Sequence, residues 1–104
     1  GFPVTKMQAN LTDLIEKSQA ENAMVALMEI YIPPNYGPRY SKMFTDSFTQ
    51  VSEKTNAHLL NFFMLNVADK PNLMQRDQLH PNKEAQLLIR DEMYDSINQW
   101  LNKD

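Results

Sequence analysis

The sequence predicts an α/β fold, and three observations carry that prediction. Apolar residues switch along the chain between helical spacing and short continuous runs. The segments follow in the order helix, strand, helix, strand, loop, helix, and such alternation points to parallel strands joined by right-handed crossovers. Hydrophobic residues make up 42% of the chain, fall in organised blocks and accompany a net charge of -3 with the signs well mixed, which marks a globular and not a disordered chain.

Each element has its own justification. Pro3 suits a helix start, and Val4, Met7, Leu11, Leu14 and Ile15 recur at helical spacing up to about Ser18. "AMVALMEIYI", residues 23 to 32, holds six consecutive apolar residues bounded by polar ones, as in a strand buried on both faces of a parallel sheet. "PPNYGP" then breaks the structure at residues 33 to 38. Tyr40, Met43, Phe44, Phe48 and Val51 mark one face of a second helix that ends near Asn56. "AHLLNFF" reads as a second short strand, with a short helix expected around residues 63 to 69 and the loop "KPNLMQRDQLHP" behind it. The last helix has Asn82 as N-cap and Glu84 in its first turn, with Ala85, Leu88, Ile89, Met93, Ile97, Trp100 and Leu101 as its apolar stripe.

A chain of 104 residues suffices for one small domain, yet these elements make an incomplete one. A sheet has on average about five or six strands, and a strand as apolar as residues 23 to 28 does not belong at an open edge. The reading is therefore half a domain, and the opening "GFPVT" reads as a point inside a longer polypeptide. Composition excludes several partners. The chain has no run of Lys or Arg, which argues against nucleic acid and anionic membranes. It has no cysteine, hence no disulfide framework, redox dithiol or thiolate metal site. Its longest apolar run, "AMVALM", is too short to span a bilayer.

The chemistry concentrates in "RDQLHPN", residues 76 to 82. Asp77 precedes His80 by three residues, in the loop after the second strand, where open α/β sheets place their sites. A carboxylate there can accept a hydrogen bond from the imidazole Nδ1–H, fix the tautomer and stabilise the imidazolium formed when Nε2 takes a proton. The plain structural reading is an Asp capping a turn and a His packed at a helix start. A hydrolase also needs a nucleophile, and none of the serines qualifies. Ser41, Ser47 and Ser52 belong to the second helix, Ser18 ends the first and Ser96 lies in the last, all outside any sharp glycine turn. Each reads as an ordinary helix-surface or helix-end residue. His58 reads as a strand-edge residue, and a metal-dependent site of Asp77, His80 and His58 lacks an assembled ligand spacing, so neither metal nor cofactor is expected. The methionines and Trp100 read as core filling. "PPNYGPRY", with Tyr31, Tyr36 and Tyr40 around it, is a rigid turn that could also wall a substrate groove.

Taken together and in order, "IYIPPNYGPRY", "HLLNFFM" and "MQRDQLHPNKEAQ" resemble the C-terminal half of the SGNH (GDSL) hydrolases. The resemblance runs through nearly the whole chain. That family carries a nucleophile in a G-D-S turn, a glycine, a G-x-N-D asparagine and a D-x-x-H pair. Asp77 and His80 match the last block, while the Ser, Gly and Asn blocks have no counterpart in this chain. The resemblance implies a three-layer α/β/α flavodoxin-like domain, of which residues 1 to 104 are the C-terminal portion with two parallel strands and three to four helices. It implies a Ser-His-Asp hydrolase of carboxylic esters or thioesters (esterase, lipase, lysophospholipase or thioesterase), needing no cofactor, periplasmic or secreted. By the same resemblance, Ile30, Tyr31, Ile32 and Pro33 help line the acyl groove. Two positions depart from the pattern: Gln78 stands where the subgroup often has glycine, and Tyr31 where a basic residue occurs.

Two functions follow as expectations. One is a serine ester or thioester hydrolase whose acid and base lie here and whose serine lies upstream. Its partners are an acyl substrate and the N-terminal half of the same domain, and this chain alone is inactive. The other is a non-catalytic α/β half-domain that pairs with itself, by oligomerisation or domain swapping, or with another chain through its uncovered sheet edge.

Overall fold

The computed structural model describes residues 3–32 and 34–102. It divides into two compact units, Gly1–Leu60 and Asn61–Asp104. No helix among the described residues is long and apolar enough to cross a membrane.

The first unit holds helix α1 (Val4–Ala20), strand β1 (Ala26–Met28), helix α2 (Pro38–Thr55) and strand β2 (His58–Leu60). Pro3 caps α1, and its carbonyl accepts from the N–H groups of Lys6 and Met7 at 3.1 Å. The strands pair in parallel, in the register Ala26 with His58, Leu27 with Leu59 and Met28 with Leu60. Parallel neighbours joined through a helix are the expected βαβ arrangement. Both strands are shorter than the apolar runs that announce them, three residues each. A ladder extends only as far as its partner does, and Met24 is 68% exposed. Burial on both faces, read from that run, is not what the structure has: Ala26, Leu27 and Met28 are all half-buried.

"PPNYGP" becomes a 3-10 turn, Pro34–Tyr36, then Gly37 at φ +91, then Pro38 in the first turn of α2. A side chain is strained at that φ, and proline at a helix start sacrifices no hydrogen bond. From the turn, Tyr36, Tyr40, Phe44 and Phe48 run down α2 with successive ring centroids 6.2, 6.4 and 5.5 Å apart. Asn56 takes the left-handed conformation, φ +62, that ends α2, as asparagine does more readily than most residues. The core gathers Ile15, Val51 and Ala57, with Leu11, Val25 and Leu27 packed on it. A valine buried as fully as Val51 contributes roughly 1.5–3 kcal/mol.

One expectation fails here. Ser47 is not at the helix surface but fully buried. Its Oγ donates to the Met43 carbonyl at 2.8 Å and accepts from Gln8 Nε2 at 3.0 Å, tying α2 to α1. Ser41 likewise has a buried Oγ, while Ser52 Oγ donates to the Ala57 carbonyl at 2.6 Å.

The second unit carries helix α3 (Lys83–Leu101) and a 3-10 turn at Pro71–Leu73. Residues 63 to 69 form no α-helix. Successive turns replace it, with Leu65 N–H on Phe62, Val67 N–H on Met64 and Lys70 N–H on Val67, each at 3.0 Å. They roll Met64 and Val67 inward to meet Met74 and Ala85, with Phe62, Phe63, Leu73 and Ile89 around them. Of the expected α3 stripe, Ala85 is buried and Ile89, Met93, Ile97 and Trp100 are half-buried. Leu88 and Leu101 are exposed.

Candidate acid–base site

The loop between the 3-10 turn and α3 closes on itself. Met74 and Pro81 form an isolated antiparallel bridge. Gln75 N–H donates to the His80 carbonyl at 2.8 Å and Gln78 N–H to the Gln75 carbonyl at 3.0 Å. Within this frame Asp77 divides its two oxygens. Oδ1 accepts from the backbone N–H groups of Leu79, at 2.9 Å, and His80, at 3.1 Å. This is the local side-chain-to-backbone bonding to which aspartate is suited. Oδ2 meets His80 Nδ1 at 2.6 Å. The acid thus folds the turn that carries the histidine it faces.

The His80 ring bond, followed by the two backbone donors, holds the Asp77 carboxyl well below its ordinary 3.8, at about 2. At neutral pH the carboxylate can only accept, so the hydrogen between the two groups sits on Nδ1. That leaves Nε2 as the nitrogen available for proton transfer. The His80 side chain is 68% exposed and that of Asp77 42%. Gln78, between them, adopts φ +60. The left-handed conformation is easiest for glycine, which gives a physical reason for the glycine common at this position in the resembling subgroup.

The other expected site residues lie in the first unit. Ile30 and Tyr31 follow β1 and are exposed, and Ile32 is half-buried. Pro33 lies outside the described residues. The Tyr31 hydroxyl donates to Glu29 Oε1 at 3.3 Å. Slight desolvation by neighbouring atoms, then the Glu29 charge and that hydrogen bond, push the Tyr31 phenol up. His58 opens β2 opposite Ala26. Among the described residues, no group of three or more His, Cys, Asp or Glu side chains converges as a metal site would require.

What sequence reasoning missed is the frame: Gln75, Asn72 and Asn82, whose hydrogen bonds close the loop. Spacing singled out Asn82 only as a helix cap.

Comparison with solved structures gives a near-superposition. The esterase EstA of Pseudoalteromonas sp. matches 99% of this chain with 78% identity and a TM-score of 0.95, over 56% of the EstA chain. AlinE4, a SGNH-hydrolase family esterase, matches 95% of this chain with 28% identity and a TM-score of 0.67, over 52% of its own. This chain is part of an SGNH-hydrolase fold. Sequence comparison agrees. An arylesterase of Vibrio mimicus is 42% identical over 86 residues, which is 83% of this chain and 43% of that protein. The thioesterase 1/protease 1/lysophospholipase L1 of Escherichia coli is 36% identical over 104 residues, all of this chain and 50% of that protein. The chain therefore spans about half the length of the curated relatives it matches. No protein-family model matches it. The SGNH resemblance read from the motifs is borne out, and the two parallel strands and three α-helices fit part of that α/β fold.

Proposed function

We propose that this chain supplies the acid and the base of a serine ester or thioester hydrolase, as the C-terminal portion of a single SGNH-hydrolase domain. The observation that carries the reading is the 2.6 Å contact between Asp77 Oδ2 and His80 Nδ1 on an exposed ring. The names of the esterases and thioesterases it resembles support it.

In this reading the serine comes from the preceding part of the domain. Its Oγ attacks the acyl carbonyl as His80 Nε2 takes the hydroxyl proton. Asp77 keeps the imidazole in the Nδ1–H tautomer and stabilises the imidazolium. The C–O or C–S bond then breaks, and the leaving group departs with the proton from Nε2. Water repeats the cycle against the acyl-enzyme, returning acid and free serine. Backbone and side-chain donors of the missing blocks form the oxyanion hole. Ile30, Tyr31, Ile32 and Pro33 line the acyl groove, and the exposure of Ile30 and Tyr31 supports that role. The chain alone is inactive, and the whole enzyme works in the periplasm or outside the cell.

The test is made on the full-length protein. A fluorophosphonate should label one serine on a species about twice the 12.1 kDa of this chain. His80→Ala should lower ester turnover about 10³-fold or more. Retained turnover in that variant overturns the role given to His80.

A second reading rests on the sheet. In a parallel pair, alternate residues point their N–H and C=O groups away from the partner. With Val25 and Glu29 bonded toward β2, Ala26 and Met28 face outward. This edge would accept the remaining strands of the domain or, without them, a second copy. Sedimentation of the isolated chain as a monomer would count against the second case.

A further inference from the structure

Asn82 holds more than a cap needs. It is the N-cap of α3, with Oδ1 accepting from Ala85 N–H at 3.1 Å. Capping uses only that acceptor, and Ser, Thr or Asp serve it as well. The other end of the amide, Nδ2, donates to the Asn72 carbonyl at 2.8 Å. The backbone N–H of Asn82 donates to the Leu73 carbonyl at 2.9 Å. One residue thereby fastens the end of the loop, two positions after His80, to its beginning. Gln75 fastens the same loop from the other side, Nε2 to the Pro81 carbonyl at 3.2 Å and N–H to the His80 carbonyl at 2.8 Å. Between these ties lies nothing but the turn bearing Asp77 and His80.

We propose that Asn82 is a positioning residue for the Asp77–His80 pair, acting through the donor end of its amide, a role in catalysis that rests on the acid–base reading above. The ring contact is short and the histidine exposed, so its geometry depends on the backbone beneath it. An anchored loop keeps Nδ1 facing Oδ2; a loop released at Asn72 lets the two drift apart. Capping rigidifies α3 and does not need the Asn72 bond, so the two roles separate chemically.

Asn82→Ser separates them in practice. Serine retains the acceptor for Ala85 N–H, but its shorter side chain does not reach the Asn72 carbonyl as well. In the full-length enzyme, kcat should fall roughly 10- to 100-fold with KM unchanged, while the urea midpoint stays near the parent's. In the same full-length protein, the Asp77 carboxyl, followed by its ¹³Cγ shift against pH, should titrate higher than in the parent. Asn82→Thr serves as the second variant should the serine form fold poorly. Parental kcat and a parental Asp77 titration in both variants would overturn the proposal and leave Asn82 a cap alone. The titration does not depend on turnover. If His80→Ala keeps full activity, the acid–base reading fails while the titration still decides whether Asn82 holds the pair.

Discussion

The Asp77–His80 contact makes a prediction that can be read without any substrate. Replace His80 by Ala in this chain, and the largest influence on the Asp77 carboxyl disappears, because the ring bond outranks the two backbone donors. The parent carboxyl titrates at about 2, against an ordinary 3.8. At pH 3 a group of the first kind is about 90% ionised and one of the second about 14%. The variant should fall between these limits, above the parent's midpoint. It should stop short of the second, because Leu79 and His80 still present their N–H groups to Oδ1. The assay is the ¹³Cγ shift of Asp77 followed from pH 1 to pH 6. A midpoint in His80→Ala equal to the parent's would refute the reasoning, since it would mean the ring bond does not form in solution. The sign carries over to stability. A carboxyl whose folded value is depressed stabilises the fold above its unfolded value and loses that contribution as pH falls toward its folded one. For Asp77 the loss therefore belongs between about pH 4 and pH 2, and not near neutrality.

Two further substitutions probe the fold beneath the site. Gln78→Gly relieves a left-handed residue at φ +60 but adds freedom to the unfolded chain, so the net should be neutral to stabilising by up to about 1 kcal/mol. Gln78→Val should be destabilising by more than that, and a valine variant as stable as the parent would contradict the observed backbone. Val67→Ala removes two carbons from a fully buried position and should cost about 2 kcal/mol by urea unfolding at constant slope. Leu87→Ala, at an exposed position on α3, should stay within about 0.5 kcal/mol; equal losses at the two positions would invert the assigned core.

How much of this the sequence shows differs by element. The helices are legible because each has a local stop or start: Pro3, Pro38 after Gly37, Asn56 and Asn82 all sit at helix ends. The strands are legible in type but not in length, since pairing between Ala26–Met28 and His58–Leu60 is set by a partner and not by the apolar run. Residues 63 to 69 mislead because their apolar residues invite a helix while the backbone closes i-to-i+3 turns on Phe62, Met64 and Val67. Ser47 misleads differently. Its burial depends on Gln8, thirty-nine residues earlier, which no local window contains. In the loop, the contact between Asp77 and His80 is legible from spacing and context, but the ties made by Gln75 and Asn82 are not. Their side chains act on backbone carbonyls, and a carbonyl leaves no mark on residue identity.

The loop that frames Asp77 and His80 is closed entirely by short-range bonds, none spanning more than ten residues. Closing so short a segment takes about 10–100 ns, and its entropic cost grows only slowly with length. The hydrogen bonds that hold Asp77 against His80 therefore lie in one stretch of roughly a dozen residues, independent of strand register elsewhere. Moved as a block from Asn72 to Ala85, it would bring its own hydrogen bonds but not its apolar floor, since Leu73, Met74 and Ala85 pack on Met64 and Val67 outside it. A single residue inserted between Asp77 and His80 would break those bonds, whereas one inserted in the chain before Pro71 would leave them whole.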